Sequence, residues 1–509
     1  MAAAALFCVL LMFLSVLQHG VLGYTRSDFP RDFVFGSATS AYQYEGAAAE
    51  DGRMPSIWDT FAHAGKMKDK TAGDVAADGY HKYEGDVELM AETGLEAYRF
   101  SISWSRLIPN GRGAVNQEGL KYYNNVIDEL VKQGIRAHVM LYHMDLPQAL
   151  EDEYDGWLSP RIVEDFTAYA DVCFREFGDR VLHWTTLAEP NVVALASYDT
   201  GELAPGRCSD PFGRTKCTVG NSSVEPYVAA HNMLLTHAAV VRLYREKYQA
   251  LQKGIVGINV LCLWSNPLTN STADLQAAQR YRDFVYGWIL NPLVFGDYPQ
   301  IMKKNVGSRL PSFNKVQTEL VKGAIDFIGI NHYYSLYVND VPLAEGARDF
   351  IADRSVCYRA YKTDPPTGQN DPTQYPSDPQ GLQLLLEYLK DTYGYFPIYV
   401  QENGKYSFLY RKGSTNDSLD DTDRVDYIKD YIEGVLNAIR NGVNVRGYFV
   451  WSFMDLFELL SGPSGDQTRY GLYRVDFDDD ARPRRARRSA RWYSDFLMNK
   501  QEPVLIARQ

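Results

Sequence analysis

The pattern that most constrains this 509-residue chain is a set of eight short, nearly continuous apolar runs rich in β-branched and aromatic residues. They fall at 33–39, 97–103, 136–142, 183–188, 254–262, 326–333, 398–402 and 446–452, and amphipathic helical stretches separate them. A strand that is apolar on both faces is buried on both faces, the mark of a parallel sheet crossed by helices. Eight such units with no Pro/Ser/Gly-rich linker predict an α/β fold, a single closed (β/α)8 TIM barrel with long βα loops. An open doubly wound sheet is the alternative, but no G-x-G-x-x-G turn supports it. The surplus length sits in loops, chiefly 197–226 after the fourth run and 335–381 after the sixth. In a barrel these lie over the carboxyl ends of the strands, where active sites are built. The second loop lacks helical periodicity.

Residues 1–23 contain no Asp, Glu, Lys or Arg, and residues 5–17 form an apolar run of signal-peptide length. We therefore expect a signal peptide at 1–23, cleaved after Gly23, and a barrel spanning 24–509. The run is too short for a membrane anchor, so the expected destination is the secretory pathway, then the extracellular space, cell wall or vacuole. Cys208 and Cys217 lie nine apart in a polar loop, and the oxidising compartment favours a disulfide between them. Cys173, Cys262 and Cys357 are expected as buried thiols. Asn221, Asn270 and Asn416 each open an N-x-[ST] glycosylation triplet.

Composition mainly excludes. A net charge of −12 gives no electrostatic support to nucleic-acid binding. The nine His residues form no H-E-x-x-H or Cys/His ligand spacing, so no metal is expected, and no cofactor. P-loop and G-x-S-x-G motifs are absent too. The basic run at 482–491 adjoins Asp476, Asp478, Asp479 and Asp480, and reads as a solvated, charge-paired surface. Most of the 36 Tyr, 23 Phe and 8 Trp are expected in the core.

Two apolar runs close on a glutamate. The fourth leads into Ala188-Glu189-Pro190-Asn191 and the seventh into Gln401-Glu402-Asn403-Gly404. A carboxylate at the end of an apolar barrel strand is costly unless it is used. Runs four and seven are expected across the barrel from each other, with both carboxylates facing one pocket. Paired carboxylates are what glycoside hydrolysis needs: one acid/base, and one nucleophile or base for water.

The segments FPRDFVFG (29–36), YRFSISWSR (98–106), FIGIN (327–331), GYFVWS (447–452) and YGLY (470–473) extend this reading. In order and spacing the chain resembles glycoside hydrolase family 1, the plant β-glucosidases, over nearly its whole mature length. The resemblance implies a retaining mechanism on a small plant-type β-glucoside, with Glu402 as nucleophile and Glu189 as acid/base. Glu189 should then have a raised pKa, while Glu402 stays ionised with help from Arg99 and a hydrogen bond from Tyr333. Gln43, His143, Asn331 and Glu458 match the family's sugar-hydroxyl positions, Trp451 its stacking platform, and Tyr470 a further substrate position.

The pattern breaks around the sugar. The family's Asn before the acid/base is Ala188 here, which removes a contact to the 2-hydroxyl worth several kcal/mol in the transition state. The Trp after the sugar-binding glutamate is Leu459, and Met144, Leu456 and Gln401 also depart. Sugar binding should be weaker, and turnover lower, than in a typical member. A transglucosidase and a weakly active or inactive glucoside-binding relative are therefore the competing readings. Loop 335–381 lacks the family's aglycone-side pattern, and oligomeric state is left open.

Overall fold

A computed structural model describes residues 23–363, 375–405, 419–459 and 469–499. Its central strands are β1 (Val34–Ala38), β2 (Ala97–Ser101), β3 (Arg136–Tyr142), β4 (His183–Leu187), β5 (Ile255–Leu261), β6 (Phe327–Asn331), β7 (Ile398–Asn403) and β8 (Val445–Trp451). Each pairs in parallel with its sequence neighbours, and β8 closes on β1. The expected barrel is present. Around it β4 and β7 are separated by β5 and β6. They are thus three steps apart in a ring of eight, across the barrel from each other though one step short of diametrically opposed.

The helices cover the barrel with their apolar stripes. The helix Gln117–Lys132 buries Tyr122, Tyr123, Val126, Ile127 and Leu130 at helical spacing. Burying each such side chain contributes about 1.5–3 kcal/mol. Inside the barrel an aromatic plug fills the lower layer. The His138 and His183 rings stack 4.1 Å apart, with Phe449 4.9 Å from His138 and Tyr399 5.7 Å from His183. Gly36 and Gly447 leave the room: a Cβ on either would sit under 3 Å from Phe449 or Tyr399.

The next inward layer carries Gln401, whose Nε2 donates to Thr185 Oγ1 at 2.8 Å. Strand alternation alone would turn Glu402 away from the barrel axis. It does not, because β7 slips register between Val400 and Glu402 against β6, and between Val400 and Asn403 against β8. Such a bulge re-aims a side chain. Gln401 therefore fills the interior while Glu402 reaches the pocket above it.

The loop after β4 contains the expected disulfide, Cys208–Cys217, with Cα atoms 5.4 Å apart. The 335–381 loop holds more structure than its sequence suggests. Ser335–Asp340 and Val356–Arg359 join Trp264–Pro267 in a three-stranded sheet, and Phe350–Arg354 is helical. Asn221 and Asn270 are exposed, whereas Asn416 lies outside the described residues, as does the 1–22 segment.

Two expectations need correction. Cys357 is exposed rather than buried, because it lies on the outer strand of that small sheet. The basic run is only partly a solvated surface. Arg487 is fully buried against Asp455, with Nη2 2.7 Å from Oδ2, and Arg484 pairs with buried Asp86 at 2.7 Å. Their partners lie far away in sequence, so local charge pattern could not reveal them.

Candidate active site

Glu189 lies just beyond β4, at the start of the short helix Pro190–Val192, with φ 45° and ψ 55°. This left-handed conformation costs a non-glycine residue about 1–2 kcal/mol. Hydrogen bonds on both sides over-determine it: Glu189 N donates to Asn259 O at 3.0 Å, and Val192 N and Val193 N each donate to Glu189 O at 2.9 Å. Strain held in place this way is common at functional sites. The side chain is partly buried, and its Oε1 accepts from Asn331 Nδ2 at 2.6 Å. Asn331 is in turn oriented by Asn259, whose Nδ2 donates to its Oδ1 at 2.7 Å. Burial foremost, and then the negative charge of Glu402, raise the Glu189 carboxyl well above the ordinary range.

Glu402 receives a different set of neighbours. Its Oε1 is paired with Arg99 Nη2, and its Oε2 accepts from Tyr333 O–H at 2.5 Å. Arg99 is fully buried and also donates through Nη1 to His143 Nδ1 at 3.2 Å. Tyr333 is fixed from behind, since Tyr427 O–H donates to its carbonyl at 2.7 Å. Just past β7, a Cβ on Gly404 would lie 1.9 Å from Trp451 O, so only glycine fits there. Two glutamates thus share one buried pocket in opposite settings: one is desolvated beside a like charge, the other bracketed by a cation and a phenol.

The remaining sugar-site candidates gather on the β1, β3 and β8 side. The Arg99 bond makes His143 Nδ1 an acceptor, which leaves N–H on Nε2. Burial and Arg99 hold this imidazole well below its usual pKa, hence neutral. Its ring stacks on Trp451, with centroids 5.8 Å apart and planes at 18°. Gln43 is buried; its Oε1 accepts from Ser40 Oγ at 2.7 Å, so its Nε2 is the end left to donate. Gln43 O accepts from Phe457 N at 3.0 Å, tying it to the segment that carries Glu458. Glu458 Oε1 is buried with no hydrogen-bond partner among the described residues. Burial is the main cause that pushes this carboxyl up to about 8. Tyr470 packs edge-on against Tyr333 at 5.9 Å.

The departures are equally plain. Ala188 is fully buried and sends no polar group into the pocket, and its N–H is used by Tyr142 O at 2.9 Å. Leu459 is half-buried at the pocket rim, and Leu456 is wholly buried. Met144 has φ 67°, a second left-handed residue at this rim.

Sequence reasoning missed three supporting groups. Asn259 is one, and a lone amide in the apolar run 254–262 was its signal. Asp145 is the second: it is buried, its Oδ1 accepts from His143 N at 3.3 Å, and burial is the main cause that pushes it up to about 7. Asp455 is the third. Besides Arg487, it accepts from Gly471 N at 3.1 Å and so holds the Tyr470 segment beside the Glu458 segment.

The chain matches the family description "Glycosyl hydrolase family 1" over residues 25–502. It is 78% identical over 508 residues to Beta-glucosidase 2 of Oryza sativa subsp. japonica, covering 100% of this chain and 99% of that one. It is 54% identical to a cyanidin 3-O-glucoside 7-O-glucosyltransferase (acyl-glucose) of Delphinium grandiflorum, over 93% of this chain and 91% of that protein. Among solved structures, a mutant of the rice Os3BGlu6 β-glucosidase in a covalent complex with Glc superposes with a TM-score of 0.89. That pair is 46% identical and spans 93% of this chain and 99% of the other. The family match, the high identity to a named β-glucosidase and the shared barrel agree, and the chain belongs to glycosyl hydrolase family 1 as a plant glycosidase of the β-glucosidase type.

Proposed function

We propose that the protein is a retaining β-glucosidase that removes terminal β-D-glucosyl residues from a small plant-type glucoside. The carrying observation is the opposed environments of the two pocket glutamates. Glu402, gripped by Arg99 and Tyr333, attacks the anomeric carbon as the bond to the aglycone oxygen breaks. Glu189, kept protonated by burial and by the charge of Glu402, gives its proton to that oxygen. Water then attacks the glucosyl-enzyme and Glu189 takes the water's proton, so the configuration is retained through two inversions. The covalent Glc complex of the rice relative supports an intermediate of this kind.

Gln43, His143, Asn331 and Glu458 would engage sugar hydroxyls, and Trp451 would underlie the ring. Residues 1–23 would direct the chain into the secretory pathway, where Cys208–Cys217 forms and the exposed Asn221 and Asn270 accept glycans. No helix among the described residues is long and apolar enough to cross a membrane. One observation favours a second outcome for the same intermediate: the Delphinium relative is named a glucosyltransferase using acyl-glucose. A phenolic acceptor in place of water would make this protein a transglucosidase.

Both outcomes require the covalent intermediate. Incubation with a 2-deoxy-2-fluoro-β-glucoside is expected to add one fluoroglucosyl group to Glu402, seen by peptide mass spectrometry. No adduct, together with no release from an activated aryl glucoside, would rule out both. If the adduct forms, its decay with added alcohols or phenolic acids separates transfer from hydrolysis.

A further inference from the structure

A cavity of about 370 Å³ opens beside the sugar pocket and shares Leu459 with it as a wall. Two other segments complete it: the stretch around Phe61 to Lys68 after β1, and the disulfide-closed loop after β4. Its chemistry differs from that of the molecule around it. Lys66, Lys68, Arg214 and Lys216 line it against a single acid, Glu202, in a chain whose net charge is −12. Glu202 is already engaged by Arg214 at 3.4 Å and by Thr200 Oγ1 at 2.9 Å. Among the described residues Lys66, Lys68 and Lys216 make no ion pair with a carboxylate, so Glu202 alone, already shared with Arg214, offsets the positive lining.

The floor is apolar. Phe61 and Met67 are buried there, and Lys66 Nζ sits 5.2 Å from the centroid of the Phe61 ring. An apolar floor with a cationic rim suits a ligand with a flat apolar body and one anionic group. Leu459 supplies an apolar wall on the side of the sugar pocket.

We infer that this cavity is a binding subsite for an anionic group, a carboxylate, sulfate or phosphate, carried by the glucoside. The inference rests on the glucosidase reading for what occupies the neighbouring pocket. Two sources could supply the charge, an aromatic acid as aglycone or acceptor, and an acidic substituent on the sugar itself. The apolar floor favours the aromatic acid.

Equilibrium binding tests this without turnover. Calorimetry on the full protein would compare 4-hydroxycinnamate with its methyl ester, and glucose 6-phosphate with glucose. The acid should bind about tenfold more tightly than the ester at low salt, the sum of three modest contacts from exposed lysines. Raising the salt should shrink that ratio. In the Lys66→Ala/Lys68→Ala/Lys216→Ala variant, with folding checked by its melting temperature, the ratio should fall to near one. A preference for glucose 6-phosphate that the variant loses would assign the charge to the sugar instead. Equal binding within both pairs, or a preference that survives in the variant, overturns the inference. Should Glu402 form no fluoroglucosyl adduct and no aryl glucoside be cleaved, the glucosidase reading fails while these binding ratios are still read independently.

Discussion

The two halves of the pocket are built to different standards. In the charged half, Glu189, Glu402, Arg99, Tyr333 and Asn331 form a closed set in which each group is held by another. The sugar-facing set is thin by comparison: the side chains of Ala188, beside Glu189, and of Leu459, beyond β8, offer no hydrogen bond, and Glu458 Oε1 has no partner among the described residues. The first half carries charges that would be costly to bury singly, so removing any one partner strands another. The second half consists of separate contacts to a ligand, and losing one leaves the fold intact. Substitutions can therefore accumulate at the rim while the charged half stays whole.

The sharpest way to break this contrast is to disable the charged half. Glu402→Gln is expected to lower kcat for an aryl glucoside by at least about 10⁴-fold, since nucleophile losses act on the whole machinery. A stopped-time assay at saturating substrate measures it, and a loss under tenfold would remove Glu402 from the nucleophile role. Arg99→Met should come next. It leaves Glu402 buried without its cation, a change that costs about 3–5 kcal/mol of folding stability. Urea unfolding measures that cost, and an unchanged midpoint would show that the ion pair is not structural.

These halves were also unequally legible in the sequence. The strand runs and both glutamates could be found from the residues themselves, because each glutamate closes an apolar run, whereas Arg99 and Tyr333 were legible only through the family resemblance. The bulge in β7 could not, because register depends on both neighbouring strands rather than on β7 alone. Asp455 and Arg487 escaped for a similar reason: they meet across 32 positions, and the arginine sits in a run that looks solvated. Cys357 was misplaced because a short apolar strand reads alike at the centre and at the edge of a sheet.

The thin half should respond in the opposite direction. Ala188→Asn restores an amide beside Glu189, where a contact to the 2-hydroxyl strengthens in the transition state. Turnover of a β-glucoside is expected to rise about tenfold, a conservative share of the several kcal/mol such contacts supply. Steady-state kinetics on the glucoside and its 2-deoxy analogue would check this. The gain should vanish with the 2-deoxy substrate, and an equal gain on both would place the new amide's effect elsewhere.

A smaller effect should appear in stability rather than in rate. Burial raises the Glu458 carboxyl to about 8, far above the value of about 4.3 in an unfolded chain. Between these values the folded protein binds the proton that the unfolded chain has lost, so stability falls as pH rises. Asp145, raised to about 7, acts in the same direction. The contribution is present below pH 4 and lost as pH rises through 8. Glu458→Gln cannot ionise, so it should match the parent near pH 4.5 and exceed it at pH 8, by on the order of 1–3 kcal/mol. Melting curves of both proteins at the two pH values give the comparison. If the gap between them does not widen with pH, the empty sugar rim carries no burial penalty at Glu458, and the contrast between the two halves rests on missing contacts alone.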